Sequence, residues 1–360
     1  MSQGVPGVLP VQITDPCPLT DAPRNVVERW CYPWLHDARD LVFVRLTLRA
    51  TLILLPLCAA LFVMSLYPAP GWLVWALAGP YLWLLYAVFG GPVMLMVHAL
   101  EHRPAFTGPG RVLQAWIRHG LPLLYGISPF AYRAHHLVMH HAEENRPGDL
   151  SSTLGYRRDS VASFLRYWLR FLLLGNLDLA RYLLFHGRKR ALRRFVAGEV
   201  AHLLLIAAGL WFAPVAATIT MLLPYALTRF FLMAGNWAQH AFVNEAAVDD
   251  GVRNATILVN ASHNHRCFND GYHALHHQHP GLHWGDMSAR FQQDWRNYAE
   301  RGVLVFAQIP NNQVVWWHLM RKDYAFLARH LVDLDGSPGS QEQKVVLLKQ
   351  RVRFQPAKAS

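Results

Sequence analysis

Charge is scarce in this sequence. Asp, Glu, Lys and Arg together make up 16% of 360 residues, against 53% hydrophobic. That ratio, with 13 Trp, excludes an ordinary soluble enzyme and points to a polytopic membrane protein. Acidic residues are scarcer still, 23 against 34 Lys and Arg, leaving a net charge of +11. No RNA-binding or DNA-binding motif accompanies the basic excess. Arg and Lys cluster between apolar runs, so the partner expected for them is an anionic membrane surface and not a nucleic acid. The four cysteines, Cys17, Cys31, Cys58 and Cys267, form no CxxC pair and read as free thiols. A GxGxxG turn after a strand and a P-loop are both missing, so built-in nicotinamide, flavin or ATP sites are unsupported. Residues 1–40 hold no basic stretch followed by an apolar run, so no cleavable signal peptide is expected and the first span serves as the targeting signal.

What the chain does have is long uncharged runs. Residues 50–67 follow Arg45 and Arg49 and predict a span with its basic end inside. Residues 72–97 form a second run, long enough at about 1.5 Å per residue to recross a core of roughly 30 Å. A third and fourth run, 196–212 and 215–234, are separated by Ala213 and Pro214 and predict an antiparallel pair. Glu199, His202 and Arg229 interrupt that pair, and polar groups at such depth face protein or a cavity. Residues 112–134, broken by Arg118, His119, Pro122, Gly126 and Pro129, predict a half-buried interfacial helix. Residues 161–185, with Arg166 and Arg170 on one face, predict either a helix in the membrane surface or a core helix with snorkelling arginines. The expected architecture is all-α: four transmembrane helices, interfacial helices and a cytosolic helical cap. Its expected divisions are a cytosolic lead-in at 1–44, a membrane catalytic region at 45–290, a cap extension at 291–335 and a flexible basic tail at 336–360.

Histidines stand out against this background. His98 and His102 lie at i and i+4, on one helix face. His135-His136-Leu-Val-Met-His140-His141 places His136 and His140 on a face from which His141 diverges. His240 ends the stretch Asn236-Trp-Ala-Gln-His240, and His273, His276 and His277 follow at offsets of three and four. Adjacent side chains such as His276 and His277 part by roughly 100° on a helix, so one short segment can serve two metal ions. Neutral imidazole suits a transition metal. The topology returns every cluster, and both termini, to one side of the membrane. Nine imidazoles exceed the needs of one ion. They also exceed the three ligands and general base of a zinc hydrolase, and the axial residues of a haem.

The boxes HALEH, HLVMHH and HALHH, alternating with paired spans, resemble those of the integral-membrane fatty acid desaturase superfamily over roughly residues 45–290. That resemblance implies four transmembrane helices under a cytosolic cap and two irons held by His98, His102, His136, His140, His141, His240, His273, His276 and His277. Asn236, spaced before His240 like the isolated Asn-x-x-x-His of stearoyl-CoA desaturases, would add a ligand through water. The second box is HxxxHH where HxxHH is usual, and His135 competes with His136 for the ligand role. His263, His265, His279 and His283 are read as supporting, capping or surface groups, and Glu101, Asp149, Asn269 and Asp270 as candidate hydrogen-bond partners of the ligands.

By the same resemblance, the activity is desaturation of a fatty acyl chain with dioxygen as co-substrate. Alternatives are a membrane di-iron hydroxylase or lipid oxygenase, and a non-catalytic membrane metal binder. Electrons would come from a ferredoxin or cytochrome b5-type donor. The acyl chain would arrive as acyl-CoA, on acyl-carrier protein or in a phospholipid. The membrane would be the bacterial inner membrane or the endoplasmic reticulum, with termini and boxes cytosolic.

Overall fold

The computed structural model describes residues 7–67, 69–334 and 339–353. The chain is mostly helical and divides into two compact units, each assembled from distant parts of the sequence. One unit comprises Pro18–Val138 and Leu179–Thr228, the other Met1–Cys17, Met139–Asp178 and Arg229–Ser360. Four helical stretches are long and apolar enough to cross a bilayer: Ala38–Leu66, Gly71–Val88, Lys189–Phe212 and Pro214–Gln239. The fold is thus an all-α integral membrane one, as the uncharged runs predict.

The second run departs from expectation. Instead of continuing to residue 97, it winds into a π-turn at Leu84–Val88, breaks at Phe89 and restarts as the helix Gly90–His102. Pro92 gives the reason. A proline lacks an amide proton, and its ring crowds the carbonyl four residues back, here that of Val88, which favours the break at this point although Pro56 and Pro80 are carried within their helices. Residues 112–134 form no single helix either. They pass through Arg111–Ala115, a π-turn at Trp116–Gly120 and a 3-10 turn at Leu121–Tyr125 before Gly126 turns left-handed at φ 68°.

Close backbone approaches tie this unit together. A Cβ on Gly198 would lie 2.1 Å from the Pro129 carbonyl oxygen, and one on Gly126 would lie 2.4 Å from the Tyr225 backbone. Only glycine permits either approach. Glu199 and His202 are buried, as anticipated for polar groups at depth, and the Ser128 hydroxyl donates to Glu199.

The other unit is built on buried apolar clusters around a short parallel ladder in which Ile257–Val259 pairs with Val305–Ala307. Leu9, Val11 and Ile13 pack onto one of these clusters, so part of the N-terminal lead-in belongs to the unit's core. The expected flexible tail also differs. Gln341–Arg353 is a helix, with Leu348 and Val352 fully buried beside Leu327 and Ala328, while 354–360 lie outside the described residues. Val345, Leu348 and Val352 recur at helical spacing, a narrow apolar stripe in a charged segment, and its burial orders the helix. Arg158, wholly buried, donates to the carbonyls of Thr153, Tyr156, Ala241 and Arg351. Its neighbour Asp159 accepts from Arg157, Tyr324 and Arg353.

Candidate metal centre

The helix His273–Gln278 is short and its first residue is a ligand candidate. The chain reaches it through Gly271, whose carbonyl accepts from Leu258 and whose amide donates to Asn264 Oδ1. A Cβ there would fall 2.4 Å from the Leu258 carbonyl oxygen, which is why this position is glycine. On this helix His273 and His277 are one turn apart with ring centroids at 4.6 Å, and His276 turns away from them.

His240 follows the end of Leu223–Gln239, and His140 ends the π-wound stretch Ala134–His140. His140, His240, His273 and His277 are all buried, and each brings one ring nitrogen to within 4.8 Å of the others'. His240 Nε2 and His277 Nε2 lie 3.0 and 3.1 Å from His273 Nε2.

These four fit a transition-metal ion. Donor nitrogens bound at about 2.1 Å to one cation stand roughly 3.0 to 3.4 Å apart, the spacing seen here. A single His273 Nε2 offers either one proton or one lone pair, so hydrogen bonding serves both contacts poorly, whereas one cation would satisfy all three nitrogens. Burial, with His140 close by, pushes His240 down to about 3, and burial and the surrounding histidines hold His277 well below the usual imidazole range. Both rings are therefore neutral at physiological pH, the form that binds metals.

Asp149 supports the group. Its Oδ2 is 2.7 Å from His140 Nδ1 and accepts the Asn145 amide, while its Oδ1 accepts the Ser151 amide and hydroxyl. This fixes the ring so that its other nitrogen faces the three partner histidines. Asn236 lies close in the network, donating from Nδ2 to the Ser151 carbonyl and to the Tyr167 hydroxyl oxygen.

The remaining box histidines gather separately. In the unit of Pro18–Val138 and Leu179–Thr228, His98, His102 and His136 come together, with His98 and His136 centroids 4.4 Å apart and the His102 and His136 Nε2 atoms 2.8 Å apart. His136, not His135, is the residue in this trio. Tyr132 stacks on His136. In the other unit, His141 and His276 meet with their Nε2 atoms 3.0 Å apart. His136 and His140 thus belong to different groups although they are one turn apart.

Of the four candidate hydrogen-bond partners, Asp149 holds a box histidine as expected. Glu101 instead pairs with Arg118 and Arg133, anchoring the end of the helix that bears His98 and His102. Asn269 Nδ2 donates to the carbonyls of Pro16 and Trp284, and Asp270 faces His263 at 3.9 Å. His283 caps a 3-10 turn by accepting the Gly285 amide. Sequence reasoning missed Asp15, which accepts from the Tyr272 hydroxyl, the residue before His273, and from Asn260 and Asn264. No local pattern marks a partner more than 200 positions away.

No curated protein and no solved structure matches the chain. The family model described as fatty acid desaturase matches residues 105–308, a range that takes in the second and third boxes and His240 and begins just after His102. With more than half of its length so matched and four apolar spans in place, the chain belongs to the fatty acid desaturase family.

Proposed function

We propose that the chain is an oxygen-dependent di-iron enzyme that introduces a double bond into the acyl chain of a lipid. The observation that carries this reading is the convergence of four buried imidazoles, His140, His240, His273 and His277, with Asp149 behind one of them. These four would hold one iron. The family resemblance assigns the other box histidines, His98, His102, His136, His141 and His276, to the iron pair as well, with Asn236 acting through water. When bound, the reduced iron pair and dioxygen supply the oxidising power that removing hydrogen from an unactivated methylene demands, which no side-chain acid or base provides.

The chain's own residues do the rest. Burial keeps His240 and His277 neutral, and Asp149 sets the tautomer of His140. The lipid substrate is an acyl chain delivered as acyl-CoA, on acyl-carrier protein or in a phospholipid. A ferredoxin or cytochrome b5-type protein supplies the electrons, since no reductase motif is present in the sequence. Termini and boxes face the cytosol, in the bacterial inner membrane or the endoplasmic reticulum.

The test is lipid profiling by mass spectrometry of a host expressing the protein against one expressing His276→Ala. A new double bond with the unaltered chain alone supports desaturation. A new alcohol would assign the protein as a hydroxylase, and identical lipids in both hosts would count against either activity.

A further inference from the structure

Hydrocarbon surroundings make an unsatisfied polar group costly, so intramembrane polar side chains are rare and usually have a task. The unit of Pro18–Val138 and Leu179–Thr228 nevertheless gathers several. Tyr125 is 1% exposed, and no hydrogen-bond partner for its hydroxyl occurs among the described residues. Tyr81 is fully buried and has the Cys58 thiol, a weak acceptor, beside its hydroxyl. Tyr86 joins them, its ring edge-on to Tyr125 at 6.3 Å and its hydroxyl 3.0 Å from Thr228 Oγ1.

The local backbone is irregular at the same place. Tyr86 sits in the π-turn Leu84–Val88, and Tyr125 closes the 3-10 turn that packs against a second π-turn, Thr218–Leu222. Single π-turns inside helices widen the packing and recur at functional sites. A plain alkyl chain offers nothing to two buried phenols, and leaving a buried donor unmet is expensive. An oxygen acceptor meets the need.

We propose that Tyr81 and Tyr125 form a recognition site for an oxygen atom carried on the hydrophobic part of the substrate, so that the lipid taken by this enzyme bears a hydroxyl or carbonyl group along its chain. This rests on the lipid-oxidising reading given above and narrows its substrate class.

The test is direct binding to the full-length, metal-free protein in lipid nanodiscs. Probes are an 18-carbon acyl chain and its positional hydroxy and keto analogues. The unaltered protein should favour one positional isomer over the plain chain by about tenfold, the worth of one well-placed buried hydrogen bond. The double variant Tyr81→Phe, Tyr125→Phe should lose that preference while binding the plain chain as before, which also shows that it is folded. Without ligand, Tyr125→Phe should melt no lower than the unaltered protein. Equal binding of plain and oxygenated chains by the unaltered protein would overturn the proposal, as would a preference that survives in the double variant. Because no turnover is required, either result leaves the desaturase reading to be judged on its own products.

Discussion

Asp149 Oδ2 stands 2.7 Å from His140 Nδ1, and the carboxylate that makes this contact is itself clamped by Asn145 and Ser151. A ligand histidine gains its orientation and basicity from such a partner, and losing the partner typically weakens metal binding 10-fold to 100-fold. Asp149→Ala should therefore lower iron affinity by about that factor in chelator competition, with the helical circular dichroism unchanged. Full retention of iron affinity would show that Asp149 only organises its loop.

His240 and His276 belong to separate groups within one unit. Alanine at either position should abolish lipid product while membrane insertion persists, as followed by fractionation. His119 packs on Phe130, and His186 Nδ1 is engaged by the Tyr182 carbonyl, and both lie outside every box in the sequence. His119→Ala and His186→Ala should leave iron stoichiometry unaltered.

The approach of Gly198 to the Pro129 carbonyl leaves no space for a methyl group. Gly198→Ala should destabilise the protein by about 1–3 kcal/mol, the usual cost of overpacking. A thermal melt in detergent reads this. An unchanged midpoint would mean that the third span shifts freely at that point.

Asp159 predicts an acid limb. Burial pushes its carboxyl up, but hydrogen bonds from Arg157, Tyr324 and Arg353 outweigh this and bring it down from 3.8 to about 2. A depressed carboxylate contributes stability that is complete above its unfolded value and is lost as pH falls through the folded one. The contribution should thus be present above about pH 4 and disappear towards pH 2. Asp159→Asn should be less stable than the unaltered protein at neutral pH, and the gap should close on acidification through that window. A gap that does not change with pH would contradict the assignment.

These features were unequally legible in the sequence. The i, i+4 pair His98 and His102 and the parting of His276 from His277 follow from helical geometry, and the structure carries both. The four spans follow from uncharged length. The break at Phe89 was missed because Pro92 lies within a run that is apolar throughout, and hydrophobicity alone does not register a proline's effect on the carbonyl four residues back. The helix Gln341–Arg353 was hidden by its charge, since only a narrow stripe through Leu348 and Val352 is buried. The Asp15 contact with Tyr272 joins residues 257 positions apart and leaves no trace in either neighbourhood. Asp149 was visible as a nearby carboxylate, but so was Glu101, and only the fold separates the one that meets an imidazole from the one that meets two arginines.

Metal counting on the full-length protein, reconstituted with ferrous iron under anaerobic conditions and freed of loose metal, bears most directly on the whole account. Two irons per chain are expected, falling when His240 or His276 is replaced by alanine. A single tightly held ion, or retention of both irons in those variants, would contradict it.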